Sequence, residues 1–143
     1  MEFVYSTGGR EKYFKALKVN DCVCRAIVNV TGMNYKEVYD TINMYCRNEY
    51  ITKRKKVKSS SRNGVLKATT HRILTDLGWK WTPTMFIGKG CKVHLKESEL
   101  PRGILIVSLS KHLTCVKDGV LYDTYDCSRG GTRCVYGYYT REG

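Results

Sequence analysis

Apolar side chains at Val23, Ala26, Ile27 and Val30 fall on one face of a 3.6-residue repeat, which predicts a helix over residues 22–31 with Gly32 as its stop. Asn20 and Asp21 precede it as cap candidates. A second helix is expected from Asn34, where "NYKE" reads as a capping box with Glu37 at its third position. Its inner face would carry Val38, Ile42 and Tyr45. A third is expected from about Gly64 to Leu77, with Val65, Leu66, Ile73 and Leu77 inward and Gly78 as the stop.

After Gly78 the period shortens to the alternation of strands, in "WKWTPTMFI", "CKVHL", "GILIVSLS", "HLTCV", "VLYDTY" and "RCVYGYYTR". Helices first and strands after, without βαβ alternation, predict an α+β fold: N-terminal helices packed on a C-terminal antiparallel sheet, in a single domain over residues 1–143. Asp118-Gly119 between two apolar runs is a strong hairpin signal. With those two residues as the loop, Lys117 pairs with Val120, Val116 with Leu121, Cys115 with Tyr122, Thr114 with Asp123, Leu113 with Thr124 and His112 with Tyr125. His112, Thr114, Asp123 and Tyr125 then share a face, and His112 and Asp123 become diagonal neighbours.

Composition adds a core and a charge. Hydrophobic residues make up 42% of the 143-residue chain, enough to exclude a disordered segment, and 25 Lys+Arg against 13 Asp+Glu give a net charge of +12. The excess gathers in residues 47–62, "RNEYITKRKKVKSSSR". A nucleic-acid or acidic-partner contact through Lys53, Arg54, Lys55, Lys56 and Lys58 is the alternative to a solvated loop. "RNGVLKATTHRILTDLGWKW" is the matching candidate recognition helix, although only Lys67 and Arg72 would lie on its exposed stripe. No stretch approaches the roughly 20 apolar residues of a membrane helix. "MEFVYSTGGREKYFK" lacks the apolar run of a secretory leader, so a cytoplasmic protein is expected. The seven cysteines, an odd number, are expected as reduced thiols.

Cys22 opens the first helix, where backbone N–H groups and the helix dipole favour a thiolate. A thiol so placed, with a histidine and a carboxylate side by side on a sheet, is the constellation of nucleophilic cysteine catalysis. Cys24 is the competing nucleophile. Two residues along a helix turn by roughly 200°, so both cannot face one histidine, and Cys22 is nearer the helix start. Metal binding fits poorly: no C-x-x-C pair occurs, and Cys91 and His94 would point to opposite faces of a strand. Cys127 and Cys134 flank "SRGGTR" and could approach each other. His71 reads as a solvated helix residue, and neither a metal nor a cofactor is expected.

Cysteine on the first helix, histidine on a strand and aspartate one strand later resemble the papain-like cysteine peptidases, especially the compact bacteriocin-processing form. "NDCVCRAIVNVTG", "GCKVHL", "ELPRGILIVSLSKHLTCVKDGVLYDTYD" and "RCVYGYY" further resemble small proteins of tailed bacteriophages and bacteria. The resemblance implies a papain-like fold, a Cys22, His112 and Asp123 triad and a phage-encoded protein working in the host bacterial cytoplasm. The reaction expected is thiol-dependent hydrolysis of a peptide, isopeptide or amide bond. A catalytically inactive papain-like scaffold that binds a host protein is a further alternative. Papain-like enzymes generally supply a glutamine before the nucleophile as an oxyanion donor, and this chain has none. Asn20, with the backbone N–H of Cys22, is the expected replacement, ahead of Lys18; a lost donor of this type costs ~10²–10³ in rate.

Overall fold

A computed structural model describes residues 1–15, 19–51 and 57–141. Helix α1 (Cys22–Thr31) ends at Gly32, whose positive φ of 73° suits glycine at this position. Helix α2 (Tyr35–Cys46) starts at Asn34, whose side-chain oxygen accepts from the N–H groups of Lys36 and Glu37. Helix α3 (Lys67–Asp76) begins three residues later than its periodicity suggests. Gly64 is held at φ 106° in a bridge to Ser60, and Leu66 stays exposed outside the helix.

The strands β1 (Glu2–Tyr5), β2 (Lys80–Pro83), β3 (Ile104–Leu109), β4 (His112–Lys117), β5 (Val120–Asp123) and β6 (Gly137–Thr140) form one sheet in the order β1-β5-β4-β3-β6-β2. The expected antiparallel sheet is corrected to a mixed one. "EFVY" near the N-terminus pairs parallel to β5, from Glu2 opposite Val120 to Tyr5 opposite Asp123. "CKVHL" is not a strand and contributes one bridge, His94 to Cys134.

Alternation along β3 and β4 builds a core on each side of the sheet. Ile106, Leu113 and Cys115 pack with Val23, Ile27 and Val30 of α1, Ile42 of α2 and Leu74 of α3. Leu105, Val107, Leu109, Val116 and Leu121 meet Leu95, Cys127 and Val135, which arrive from the segments flanking the sheet. Helices therefore cover one face and irregular chain the other. Strand β5 stops at Asp123 and β4 starts at His112, so both cores run out at the same end of the sheet, under the N-terminus of α1.

Candidate active site

Cys22 is the first residue of α1, half-buried, on the wall of a cleft of about 430 Å³. Asp21 occupies the N-cap position, but its side chain makes no capping bond. It turns inward instead, fully buried, accepting from Tyr35 Oη at 2.6 Å, Arg10 at 3.0 Å and Arg25. The expected cap is thus a buried ion-pair anchor, and the helix starts without a side chain across its first amides. Asn20 lines the same cleft, fixed by its backbone N–H donating to Arg62 O at 2.7 Å. Lys18 lies outside the described residues.

The hairpin keeps its predicted register at Lys117–Val120, Val116–Leu121 and Cys115–Tyr122. Asp118 and Gly119 both hold positive φ, 48° and 82°, as a two-residue turn of this kind requires. The predicted ladder does not continue through Thr114–Asp123, Leu113–Thr124 and His112–Tyr125: pairing stops at Cys115–Tyr122 and β5 ends at Asp123. There the Thr124 N–H turns back to Asp123 Oδ1 at 2.7 Å. His112 Nε2 and Asp123 Oδ2 are 2.7 Å apart, as the diagonal relation predicts. Tyr125 keeps its ring beside His112, at 5.4 Å between centroids.

Asp123 is 2% exposed and gathers donors from three directions: Thr114 Oγ1 at 2.7 Å, the Thr124 amide, and Arg25 at 3.3 Å from α1. Burial alone would raise its carboxyl, but His112, Thr114 and the Thr124 amide outweigh it and hold the group down at about 2. His112 shows the reverse balance. Burial opposes its charge, while Asp123 first, then the neighbouring Cys127 and Cys22 thiols, push it up to about 12. With Nε2 committed to Asp123, the other ring nitrogen is the one left for a thiol. The result is an imidazolium held by a buried carboxylate on the wall of the cleft that Cys22 also lines.

Arg25 was no sequence candidate. It is a buried cation shared by Asp21 and Asp123, four residues after Asp21 on an otherwise apolar helix, and that misplaced charge was the available signal. Cys24 is fully buried, donates to Tyr35 O at 3.7 Å and is pushed up to about 12 by burial, so it remains a thiol. Cys127 lies 3.6 Å from Asp123 Oδ2, against the expectation that it approaches Cys134. His112, Asp123 and Cys127 present ligand atoms within 4.8 Å of one another, the arrangement among the described residues that could hold a metal ion. Each carboxylate oxygen of Asp123 already accepts from protein donors, so a metal would have to displace them.

Two cysteine expectations are corrected. Cys91 and Cys134 form a disulfide, so these two are not reduced thiols; Cys22, Cys24, Cys46, Cys115 and Cys127 are in no disulfide. Cys91 and His94 do not diverge. Lacking strand geometry, the loop brings His94 Nε2 to 3.6 Å from Cys91 Sγ, and His94 Nδ1 sits 3.3 Å from Glu99.

The cleft runs between α3 and the sheet. Trp81 forms part of its wall because Gly137 opposite has no side chain: a Cβ there would lie 2.3 Å from the indole. Trp81 packs tilted against Tyr139, 4.8 Å between ring centroids, and the Tyr139 hydroxyl is 3.0 Å from His71 Nδ1. His71 is exposed, as its helical position suggests, yet it faces the cleft. Lys67 and Arg72 are both exposed on α3, as expected, and Lys67 lines the cleft too. Lys53, Arg54, Lys55 and Lys56 lie outside the described residues, and Lys58 is exposed with its Nζ donating to Arg47 O. No helix among the described residues is long and apolar enough to cross a membrane. Set against protein-family models, curated proteins and solved structures, the chain gives no significant match.

Proposed function

We propose that this protein is a thiol-dependent acyl hydrolase, a peptidase or amidase of papain-like arrangement, with Cys22 as nucleophile, His112 as proton carrier and Asp123 as orienting carboxylate. The observation that carries the reading is His112, 2.7 Å from buried Asp123 and sharing the wall of an open cleft with Cys22. Cys22 sulfur adds to the substrate carbonyl carbon and His112 gives its proton to the departing amine, which leaves a thioester. Water, deprotonated by His112, then breaks the C–S bond, releases the acid and returns the proton. The negative oxygen of the tetrahedral intermediate needs donors, and the Cys22 N–H with the Asn20 side chain are the two at hand.

Iodoacetamide labelling of the folded protein against pH tests this. Cys22 alone should react fast below about pH 7, and His112→Ala should slow it markedly. Slow labelling of every free thiol, with the pH dependence of ordinary cysteine, would overturn the reading.

A further inference from the structure

The cleft beside Cys22 is asymmetric in charge. Among the described residues that line it there is no Asp or Glu, whereas Lys67 stands on its helical side and Lys111 on its strand side. Asp21, directly before Cys22, and Asp123, behind His112, are both buried and committed to their own partners. Lys111 is held in the left-handed region at φ 54°, within the two-residue turn between β3 and β4, directly before His112. An unstrained choice there would be glycine or asparagine, so a lysine is an expensive residue for a turn that needs only to reverse the chain. The cleft floor is apolar and aromatic, with Trp81, Tyr139 and Leu113, and a low-dielectric wall of this kind concentrates the field of cations at its rim. Lys67 is steadied by its contact with the Tyr136 ring, 4.6 Å from Nζ to centroid.

Resting on the hydrolase reading, the geometry points to a substrate class: an acyl compound that carries a carboxylate close to the reacting carbonyl, held by Lys111 and Lys67 while an apolar neighbour lies on Trp81 and Tyr139. The carboxylate could come from an acidic side chain or from a free chain terminus. Both present the same anion to the two lysines.

Three chloroacetyl compounds separate the possibilities: the amide of chloroacetyl-leucine, which is neutral; the amide of chloroacetyl-glutamate, with a side-chain carboxylate; and free chloroacetyl-leucine, with a terminal one. In each, Cys22 sulfur bonds to the chloromethyl carbon and chloride leaves. Rates of Cys22 modification, followed by mass spectrometry, are divided by the rates of the same compounds with free cysteine. At least one acidic compound should gain about tenfold over the neutral one. Either Lys111→Gln or Lys67→Gln should remove about threefold of that gain, and salt should weaken it. Lys36→Gln, which lowers the net charge equally on α2, should leave the ratio unchanged. Which acid gains identifies the source of the carboxylate. Equal ratios for all three compounds, or a preference that ignores both cleft lysines, overturns the proposal. The absolute rate of the neutral compound reports separately on the activated thiol, so a failed hydrolase reading and a failed anion preference give different results.

Discussion

The two ends of the β4–β5 hairpin are built on opposite principles. At the turn end, Asp118 and Gly119 satisfy a local geometric demand, the ladder is regular, and Asp118 is exposed. At the open end the ladder is abandoned at Asp123, and the groups freed from pairing are buried, charged and bound to α1. The turn end needs only neighbours in sequence. The open end needs Arg25, 98 residues before Asp123, and it holds the candidate chemistry. Regular structure ends where side chains must be aimed at something other than the next strand.

The largest expected effect at the open end is that of Asp123→Ala. It strands the charges of Arg25 and His112 in a buried site, which should cost about 3–5 kcal/mol in urea unfolding and abolish fast alkylation of Cys22. A loss under about 1 kcal/mol would mean that the open end is no more coupled than the turn. Acid probes the same carboxylate without mutation. Its pKa is held at about 2 in the fold against 3.8 for an unperturbed group, so its stabilisation is complete above about pH 4. As pH falls toward 2 about 2 kcal/mol should be lost, and a flat urea midpoint across that range would contradict the buried pair. His112 adds the alkaline limb. Raised from 6.5 to about 12, it contributes fully below pH 6.5 and less as pH climbs through that interval.

At the turn end, Gly119→Ala forces a side chain into φ 82° and against Glu97, a flexible neighbour that can swing away. About 1–2 kcal/mol should go, with Cys22 alkylation unaltered. A change in alkylation would show that the two ends communicate. The smallest effect is expected from Thr114→Val, which removes one donor from Asp123 for about 1 kcal/mol. Unlike the glycine change, it should also alter the alkylation profile, since His112 and Thr114 share Oδ2.

Legibility in the sequence followed the same division. The α+β class, the starts of α1 and α2, and the hairpin turn came from local periodicity and turn chemistry, which act over a few residues. The His112–Asp123 contact was legible because a two-residue loop fixes register over a short span. What stayed hidden depended on distant partners. Strand β1 is four residues of ordinary alternation, and its pairing to β5 is parallel and separated by most of the chain. Asp21 looked like a cap because cap residues are recognised by position, whereas Arg10, Arg25 and Tyr35 redirect it inward. Cys127 and Cys134 drew attention to each other across a glycine-rich loop, while their actual neighbours, Asp123 and Cys91, were set by the fold around that loop.

The Cys91–Cys134 disulfide closes a ring of chain that contains His112 and Asp123 but leaves Cys22 outside it. The proposed acid–base pair and the proposed nucleophile therefore belong to different topological parts of one molecule, a covalent loop and the chain outside it. A trypsin cut at Arg129, exposed within the ring, would open the loop without releasing a fragment. The nicked protein would migrate as one species until a reductant parted it in two.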